Sequence, residues 1–237
     1  MKAAAAVASE AQRPTRQGGE QSRQRLLRAG LALFAQHGYA KTSTREIAEA
    51  AQTNVAAISY YFGDKAGLYR AAFFESQSAP EDEIACYARP GLTLNQALRG
   101  LYTGFLEPLK HGDMVRQCMK LHMREMLEPT GLWQEEIHQG IKPMHDALVA
   151  VLCRHFGLAR ADDDLRRLAL CIAGQGVHLQ VCGDVIDALA PRLNSGTKGL
   201  DLWMERLVMY AEAMIGAEAQ RRKLAGQTKV IKVVARK

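Results

Sequence analysis

The sequence has 237 residues, of which 48% are hydrophobic and 24% charged, which is typical of a chain that folds into a small domain and a larger one with its own core. No apolar run reaches the ~20 residues that a spanning helix needs, which argues against a membrane protein and for a cytoplasmic one. The five cysteines, at positions 86, 118, 153, 171 and 182, lack the paired spacing of zinc sites, so we expect reduced thiols, no metal and no cofactor.

The net charge of +6 is unevenly distributed along the chain. Residues 1–75 hold ten Lys or Arg and six Asp or Glu, and residues 76–218 hold fourteen and nineteen. Residues 219–237 hold seven basic residues and no acidic one. A basic segment is typical of a surface that binds phosphates. We therefore expect the N-terminal part to contact nucleic acid and the acidic middle of the chain not to.

Residues 1–19 are predicted to be a disordered arm. They are rich in Ala, Gln, Arg and Gly and show no apolar periodicity, so they cannot bury enough surface to offset the entropic cost of ordering. The short Ala-rich run near the start lacks a credible cleavage site, which argues against a secretory signal. Arg13 and Arg16 could reach along a DNA groove, although a solvated arm is the interpretation that we favour.

Two helices are predicted directly after the arm. The first begins at Gln21, carries an apolar stripe and ends at Gly38, a typical C-cap residue. Ser43 and Glu46 then have the spacing of a capping box, in which each side chain accepts a hydrogen bond from the backbone N–H of the other residue. The second helix is therefore predicted to begin at Thr44.

Two further helices follow after a short turn. The third is predicted over residues 55–62, with Asn54 as its N-cap and Ile58 buried beneath it. Asp64 is predicted to cap the fourth helix, which is long enough to connect two domains. The Lys65 ammonium could meet a phosphate there, beside the free backbone N–H groups of the helix N-terminus.

The stretch TSTREIAEAAQTNVAAISYYFGDKAGLY, residues 42–69, resembles the DNA-binding unit of the TetR family of bacterial regulators, and its NVAAISYYFGDK portion is most similar to the CecR-type subgroup. The resemblance implies a support helix, a recognition helix and a clamp on the DNA backbone. The resemblance places Ser43, Thr44 and Arg45 at the start of the support helix, with Arg45 as a reader of a base. The residues that it places on the recognition helix are Val55, Ala56, Ser59, Tyr60 and Tyr61. Lys65 would be the clamp on the DNA backbone. The alternative is a helical hairpin without DNA-binding function.

Gln52 departs from the family pattern, which usually has a glycine at this point of the turn. A positive φ strains most residues other than glycine by ~1 kcal/mol. We therefore expect a differently shaped turn in this chain.

The rest of the sequence predicts an all-α fold. An irregular, acidic connection is expected up to Thr93, and no strand-like alternation follows it. Five helical segments are predicted, over residues 93–109, 113–128, 133–156, 162–190 and 198–217. Pro143 is expected to kink the third of them.

The predicted organisation has four parts. An N-terminal three-helix helix-turn-helix domain covers residues 20–75, including the start of the connecting helix, and follows the arm. A larger C-terminal helical domain for ligand binding and dimerisation covers 76–218. The basic tail, residues 219–237, is either a disordered segment attracted to nucleic acid or membranes, or a short strand.

The last two helical segments are candidates for a dimer interface. Both carry broad apolar faces with small residues, which suit close packing across a two-fold axis. Because TetR-family proteins dimerise through their last two helices, the resemblance implies a homodimer at this surface. The alternative is that these faces belong only to the core of one chain.

A methionine-rich helix suggests a small-molecule pocket in the second domain. Met119, His122, Met123 and Met126 recur at helical spacing, and aromatic and polar residues occur on neighbouring segments. The candidate lining residues are Phe105, Met119, His122, Met123, Met126, Trp133, His145, Cys171, Gln175 and His178. For each of these residues taken singly, we favour the interpretation that it belongs to an ordinary hydrophobic core. Arg124 and Glu125 are either a buried pair near the pocket or a solvated one.

Catalytic motifs for nucleophilic, metal-dependent or nucleotide-dependent chemistry are missing from the sequence, which argues against an enzyme. The residues and the resemblance together predict a cytoplasmic repressor. A small-molecule effector of unknown identity would release it from a palindromic double-stranded DNA operator. The alternatives are a DNA-binding architectural or adaptor protein without a ligand, and a thiol-based redox sensor.

Overall fold

The structure is a computed structural model that describes residues 16–75, 79–110, 113–194 and 196–234. These described residues form helices and turns, without a strand among them. The all-α prediction is therefore confirmed. The chain divides into two compact units, the first ending at Phe74 and the second beginning at Glu75.

The first unit contains four helices: α1 (Arg16–Lys41), α2 (Thr44–Ala50), α3 (Ala56–Phe62) and α4 (Lys65–Phe74). Helical backbone begins at Arg16, so the predicted arm is shorter than expected, and its first 15 residues lie outside the described part of the chain. Gly38 has a non-helical conformation with φ of 81°, which agrees with the predicted end of the first helix. The Thr42 hydroxyl donates to the Gly38 carbonyl at 2.8 Å and closes this corner.

Helix α1 packs against the other three helices of the first unit. The largest side chains that this packing buries are Leu26, Leu31, Phe34, Ile47, Ile58, Leu68 and Phe73. Helix α4 approaches the end of α3 so closely that a Cβ on Gly67 would lie 1.9 Å from the Phe62 carbonyl oxygen. Only glycine at residue 67 permits this approach of α4 to the end of α3.

The second unit contains eight α-helices among its described residues: α5 (Pro80–Tyr87), α6 (Leu94–Lys110), α7 (Asp113–Leu127), α8 (Leu132–Glu136), α9 (Lys142–Phe156), α10 (Asp163–Val181), α11 (Gly183–Leu189) and α12 (Gly196–Val234). A π turn over Ile137–Ile141 joins α8 to α9. Helix α6 lies at the centre, packed against α5, α10 and α12. Tyr102 is fully buried there with Leu98 and Leu106.

Two expectations for this unit were wrong, those for the acidic connection and for the segment over 162–190. The acidic connection contains α5, which begins with Pro80 in its first turn and three acidic residues, both favourable at a helix N-terminus. In the segment predicted over 133–156, where Pro143 was expected to cause a kink, a π turn over Ile137–Ile141 separates α8 from α9, and Pro143 lies in the first turn of α9. The segment predicted over 162–190 is two helices, α10 and α11, which are bent by 75° from each other.

No single helix among the described ranges is both long and apolar enough to cross a membrane. Helices α10 and α11 are long and apolar enough only when they are taken together, and the two are bent from each other. Leu165, Ala169 and Ile172 of α10 are fully buried in the core of the second unit.

The backbone of the basic tail continues α12 as far as Val234, where a disordered segment or a strand was expected. Arg222 donates to both carboxylate oxygens of Asp162 at 2.8 Å, and Arg221 reaches Asp164 at 2.8 Å. Asp162 is also the N-cap of α10, since its side chain accepts from the Leu165 N–H. These contacts fasten the start of the tail to α10.

Two substitutions of Asp162 should distinguish the stabilisation that comes from its ion pair with Arg222 from the stabilisation that comes from its capping of α10. Asp162→Asn keeps a capping oxygen and loses the pair, so it should lower the free energy of unfolding by ~0.5–1 kcal/mol. Asp162→Ala should cost about 1 kcal/mol more because the cap is lost as well. Denaturant titration at pH 7 measures both changes. Asp163→Asn, which removes a neighbouring exposed charge in the first turn, is the control.

The same substitution has a predictable pH dependence. The hydrogen bonds from Arg222, followed by the one from the Leu165 backbone, lower the pKa of Asp162 in the folded protein. A carboxylate whose pKa is lower in the folded protein than in the unfolded one stabilises the fold at pH values above its unfolded pKa, which is ~3.9 for Asp. This stabilisation is lost as the pH falls through the pKa of the folded protein. The difference between wild type and Asp162→Asn should therefore shrink below about pH 4. A difference that stays constant down to pH 2 would contradict this assignment.

Candidate nucleic-acid interface and regulatory site

Helix α2 begins with the predicted capping box. The Ser43 hydroxyl accepts from the Glu46 N–H at 3.2 Å, and the Glu46 carboxylate accepts from the Ser43 N–H at 2.8 Å. The hydrogen bond from the Ser43 backbone, followed by the one from its hydroxyl, lowers the pKa of Glu46. This arrangement fixes the first turn of α2, which carries Ser43, Thr44 and Arg45.

Arg45 is highly exposed, and its Nε lies 3.0 Å from Glu49 Oε1 on the next turn of the same helix. The two side chains are 83% and 66% exposed, so solvent screens the pair and its net contribution to stability is small, at most ~0.5 kcal/mol. The Arg45 guanidinium is therefore available to exchange this partner for another acceptor at little cost.

The turn between α2 and α3 has a residue with positive φ, although the residue there is glutamine and not the glycine that such a φ favours. Gln52 has a φ of 52°, so the expectation of a differently shaped turn was wrong. Backbone hydrogen bonds hold it, from Gln52 N–H to the Glu49 carbonyl at 3.0 Å and from Thr53 N–H to the Ala48 carbonyl at 2.9 Å. These bonds offset the ~1 kcal/mol of strain that a non-glycine residue carries there.

Helix α3 turns one face into the core and the other to solvent. Ile58 is buried, whereas the predicted reading residues Val55, Ala56, Ser59 and Tyr60 are all exposed, Tyr60 by 81%. The Asn54 side chain accepts from the Ala56 N–H at 2.9 Å, but α3 begins one residue later than predicted, with Val55 as its N-cap. The exposed face is built mainly from small side chains, so another surface can approach the backbone of α3 closely.

Tyr61, near the C-terminus of α3, and Lys65, at the start of α4, are both partly buried. The Tyr61 hydroxyl faces the start of α1, where a Cβ on Gly19 would lie 3.3 Å from it. The Lys65 ammonium lies 4.4 Å from the centre of the Tyr39 ring, a distance at which a cation and an aromatic face attract each other. This contact orients the Lys65 side chain beside the N-terminus of α4. The N–H groups of the Lys65 ammonium remain able to bind an anion there.

Three of the ten predicted ligand-binding residues come together on the surface of α10 and α12. Cys171, Gln175 and His178 line an open groove of about 410 Å³ on α10 and α12. Its other lining residues are Gly174, Leu179, Trp203, Leu207 and Tyr210. The same two helices expose several large apolar side chains, namely Leu170 and Val177 on α10 and Leu202, Met209 and Tyr210 on α12.

Phe105 lies deeper, where α6 meets α10. A Cβ on Gly176 would lie 2.4 Å from the Phe105 ring, so glycine is needed at this crossing. The neighbouring Tyr102 hydroxyl donates to Gln175 Oε1 at 2.8 Å, and burial raises the pKa of this phenol. Gln175 therefore contacts both the α6 core and the groove.

The remaining predicted residues are on α7, α8 and α9. The rings of His122 and Trp133 are nearly perpendicular, with centroids 6.5 Å apart, and burial lowers the pKa of His122. Met119 and Met123 are half-buried, whereas Met126 is 49% exposed. His145 is half-buried on α9, and burial lowers its pKa as well.

Glu125 has a structural role that the sequence did not reveal. It is fully buried, and its Oε1 accepts from the backbone N–H groups of Thr130, Gly131 and Leu132 at 2.8–3.0 Å. Such bonds satisfy backbone donors at the start of α8. The Pro-Thr-Gly sequence of residues 129–131, directly ahead of α8, was the signal available for a helix start here, but it does not indicate Glu125 as the cap. Arg124 lies 3.8 Å from Glu128.

Groups of three or more potential metal-ligating side chains do not occur in the part of the chain that the structure describes. The five cysteines are free thiols, among which Cys86 and Cys171 are exposed and Cys118 is buried.

Two family models match this chain. Residues 26–72 match the model of the bacterial regulatory proteins of the tetR family. Residues 94–217, more than half of the chain, match the C-terminal domain of the HTH-type transcriptional dual regulator CecR.

Similar proteins with assigned names include two from Shigella flexneri. The HTH-type transcriptional dual regulator CecR is 33% identical over 150 residues, which are 59% of this chain and 66% of CecR, just short of two thirds of its length. The HTH-type transcriptional regulator AcrR is 30% identical over 168 residues, which are 68% of this chain and 78% of AcrR.

The fold also resembles solved structures. The SmeT–triclosan complex matches with a TM-score of 0.57 and 20% identity, over 83% of this chain and 90% of SmeT. At this level of identity the likeness concerns the fold alone.

Proposed function

The chain belongs to the TetR family of bacterial regulatory proteins and has a CecR-type C-terminal domain, and from this premise we propose that it is a transcriptional repressor. The first unit binds a palindromic DNA operator, and a small molecule that binds the second unit weakens this binding. The observation that carries the proposal is the exposed face of α3, with Lys65 held at one end of it.

The geometry of the first unit supports a role in reading DNA. The major groove admits an α-helix and presents base edges to it. Helix α3 exposes Ala56 and Ser59, which are small enough for close approach, together with Val55 and Tyr60. Arg45 on α2 can exchange Glu49 for the two acceptors of a guanine, and Lys65 can bind a backbone phosphate.

A homodimer is supported by the apolar faces of α10 and α12. Leu170 and Val177 are exposed seven residues apart, and so are Leu202 and Met209. This spacing places each pair on one side of its helix, and such stripes suit a self-complementary interface across a two-fold axis. A palindromic operator requires two recognition helices related in this way.

Regulation by a small molecule is supported by the second unit and by its relatives. Its aromatic and methionine side chains around α6, α7 and α8 suit an adaptable apolar ligand. One solved protein of similar fold, SmeT, is a complex with triclosan.

The alternative of a ligand-independent adaptor rests mainly on the basic tail, and the structure weakens that basis. Arg221 and Arg222 are already paired with acidic side chains of α10 and its cap. These two charges would not add freely to nonspecific DNA affinity.

Substitutions of Lys65 and Arg45 should affect DNA binding in different ways. Lys65→Ala should weaken binding to all sequences alike and reduce the salt dependence, because it removes a phosphate contact. Arg45→Ala should cost ~1–3 kcal/mol on the preferred sequence and relax the preference at one base position. Fluorescence anisotropy with the preferred duplex and its single-base variants, at several salt concentrations, measures both effects.

Lys120→Ala, on the exposed side of α7, is the charge-matched control and should leave affinity unchanged. The proposal is contradicted if Lys65→Ala and Arg45→Ala both bind like wild type while remaining folded.

Leu170→Glu should prevent dimerisation without unfolding the chain, because the side chain is 62% exposed. Two carboxylates would then meet near the two-fold axis in an apolar interface. Sedimentation should show monomers, and operator affinity should fall by at least ~100-fold because one half-site contact is lost. Leu127→Glu, at a leucine of α7 that is 79% exposed, should remain dimeric. A dimeric Leu170→Glu protein would contradict the proposed interface.

A further inference from the structure

The ion pair on the exposed side of α2 leaves both of its partners able to form further hydrogen bonds. The Arg45 Nε donates to Glu49 Oε1 at 3.0 Å. This bond leaves the two Nη groups of Arg45 and the Oε2 of Glu49 without a hydrogen-bond partner among the described residues. Because arginine only donates and an ionised glutamate only accepts, the pair presents two donors beside one acceptor.

Helix α2 holds this pair at a fixed place on the first unit. Ile47 and Ala48, which lie between the two residues in the chain, are buried, and α2 packs against α1 and α3. The capping box fixes the first turn of the helix. Arg45 and Glu49 are four residues apart, so they lie side by side on the exposed face of α2.

Helix stability does not account for this pair. Arg45 is in the first turn of α2, and Glu49 is the penultimate residue of the helix. The helix dipole favours acidic residues near the N-terminus and basic residues near the C-terminus. A pair at this spacing is also more stabilising when the acidic residue comes first. The two residues are therefore in the less favourable order for α2.

The major groove of DNA presents base edges that match the pair. Guanine has two neighbouring acceptors, N7 and O6, which an arginine binds with two N–H groups, whereas cytosine and adenine present an amino group as a donor. The Nη groups of Arg45 can bind guanine while Nε keeps its bond to Glu49, so the ion pair need not be broken. The free Oε2 of Glu49 then matches an amino group.

The position of that amino group follows from base pairing. A guanine always has cytosine in its own pair, so an acceptor that faced this cytosine would add no sequence information. An acceptor that faces the neighbouring pair distinguishes cytosine and adenine, which present an amino group, from thymine and guanine, which present O4 or O6.

We propose that Glu49 is a specificity-determining residue that acts together with Arg45. Arg45 binds a guanine, and Glu49 accepts a hydrogen bond from the amino group of a cytosine or adenine in the neighbouring pair. A thymine or guanine there would place an oxygen acceptor against the carboxylate and leave both without a donor. This assignment rests on the proposed binding of operator DNA and adds a second base contact from α2.

The test uses fluorescence anisotropy of the full chain with duplexes that vary next to the guanine identified by Arg45→Ala. Wild type should prefer cytosine or adenine over thymine or guanine at this position by at least ~10-fold, because a charged acceptor is involved. Glu49→Ala removes the acceptor, and the amide of Glu49→Gln can also donate, so each should lower the preference to less than ~3-fold.

Removal of the amino group from the DNA tests whether Glu49 is its partner. Pyrimidinone lacks the amino group of cytosine, and unsubstituted purine lacks that of adenine. Either replacement should weaken binding by wild type at least ~10-fold more than binding by Glu49→Ala, because the contact exists only in the first complex. The loss of base pairing in the duplex is common to both proteins and cancels in this comparison.

Glu20→Gln is the control, since it removes an exposed charge from α1 of the same unit. Any change that it makes should be the same for all duplexes, as for an electrostatic effect on phosphates. An unchanged preference in Glu49→Ala, or an equal effect of amino-group removal on wild type and Glu49→Ala, would overturn the inference. If Arg45→Ala still relaxes the preference at its own position, the proposed DNA-binding function stands. A wild type without any sequence preference would instead contradict the proposed function itself.

Discussion

Helix α3 has seven residues, and a helix of that length is not stable on its own in water. Its position depends on its neighbours, through the burial of Ile58 and the backbone approach of α4 at Gly67. Any side chain at residue 67 would push α4 away from the Phe62 carbonyl oxygen. The position of the exposed face of α3 relative to Lys65 therefore depends on both the burial of Ile58 and this close approach.

The two units use charge in different ways. In the first unit, Arg45 and Lys65 are held by contacts that cost little to exchange, an exposed ion pair and an aromatic ring. In the second unit, Glu125 and Asp162 are bound by helix N-termini, and Asp162 also by Arg222. These acidic groups therefore stabilise the fold of the second unit.

Local interactions explain what the sequence could predict. The capping box joins Ser43 to Glu46, three residues away, and the Asn54 side chain accepts from the N–H two residues ahead, so both interactions can be predicted from the sequence. The start of α5 had similar signals in Pro80 and the acidic residues after it. It was missed because an eight-residue helix shows too little apolar periodicity to stand out from an irregular connection.

Contacts between distant parts of the chain explain what the sequence could not predict. Asp162 and Arg222 are 60 residues apart, and nothing in either segment indicates the other as its partner. The burial of Glu136 depends on how α8 and the π turn pack, and Gln52 keeps its positive φ through backbone bonds. The methionine spacing on α7 was read correctly as helical, but spacing alone could not show that Met126 faces solvent.

The central claim is that the first unit reads DNA sequence through α3, and selection from a pool of random duplexes tests it most directly. The full chain would be incubated with the pool at ~150 mM salt, and bound duplexes would be amplified and sequenced over several rounds. The account predicts enrichment of a palindrome whose half-sites are centred about one helical turn apart, ~34 Å. Retention of DNA without any enriched sequence would show that the chain binds phosphates alone, and would contradict the account.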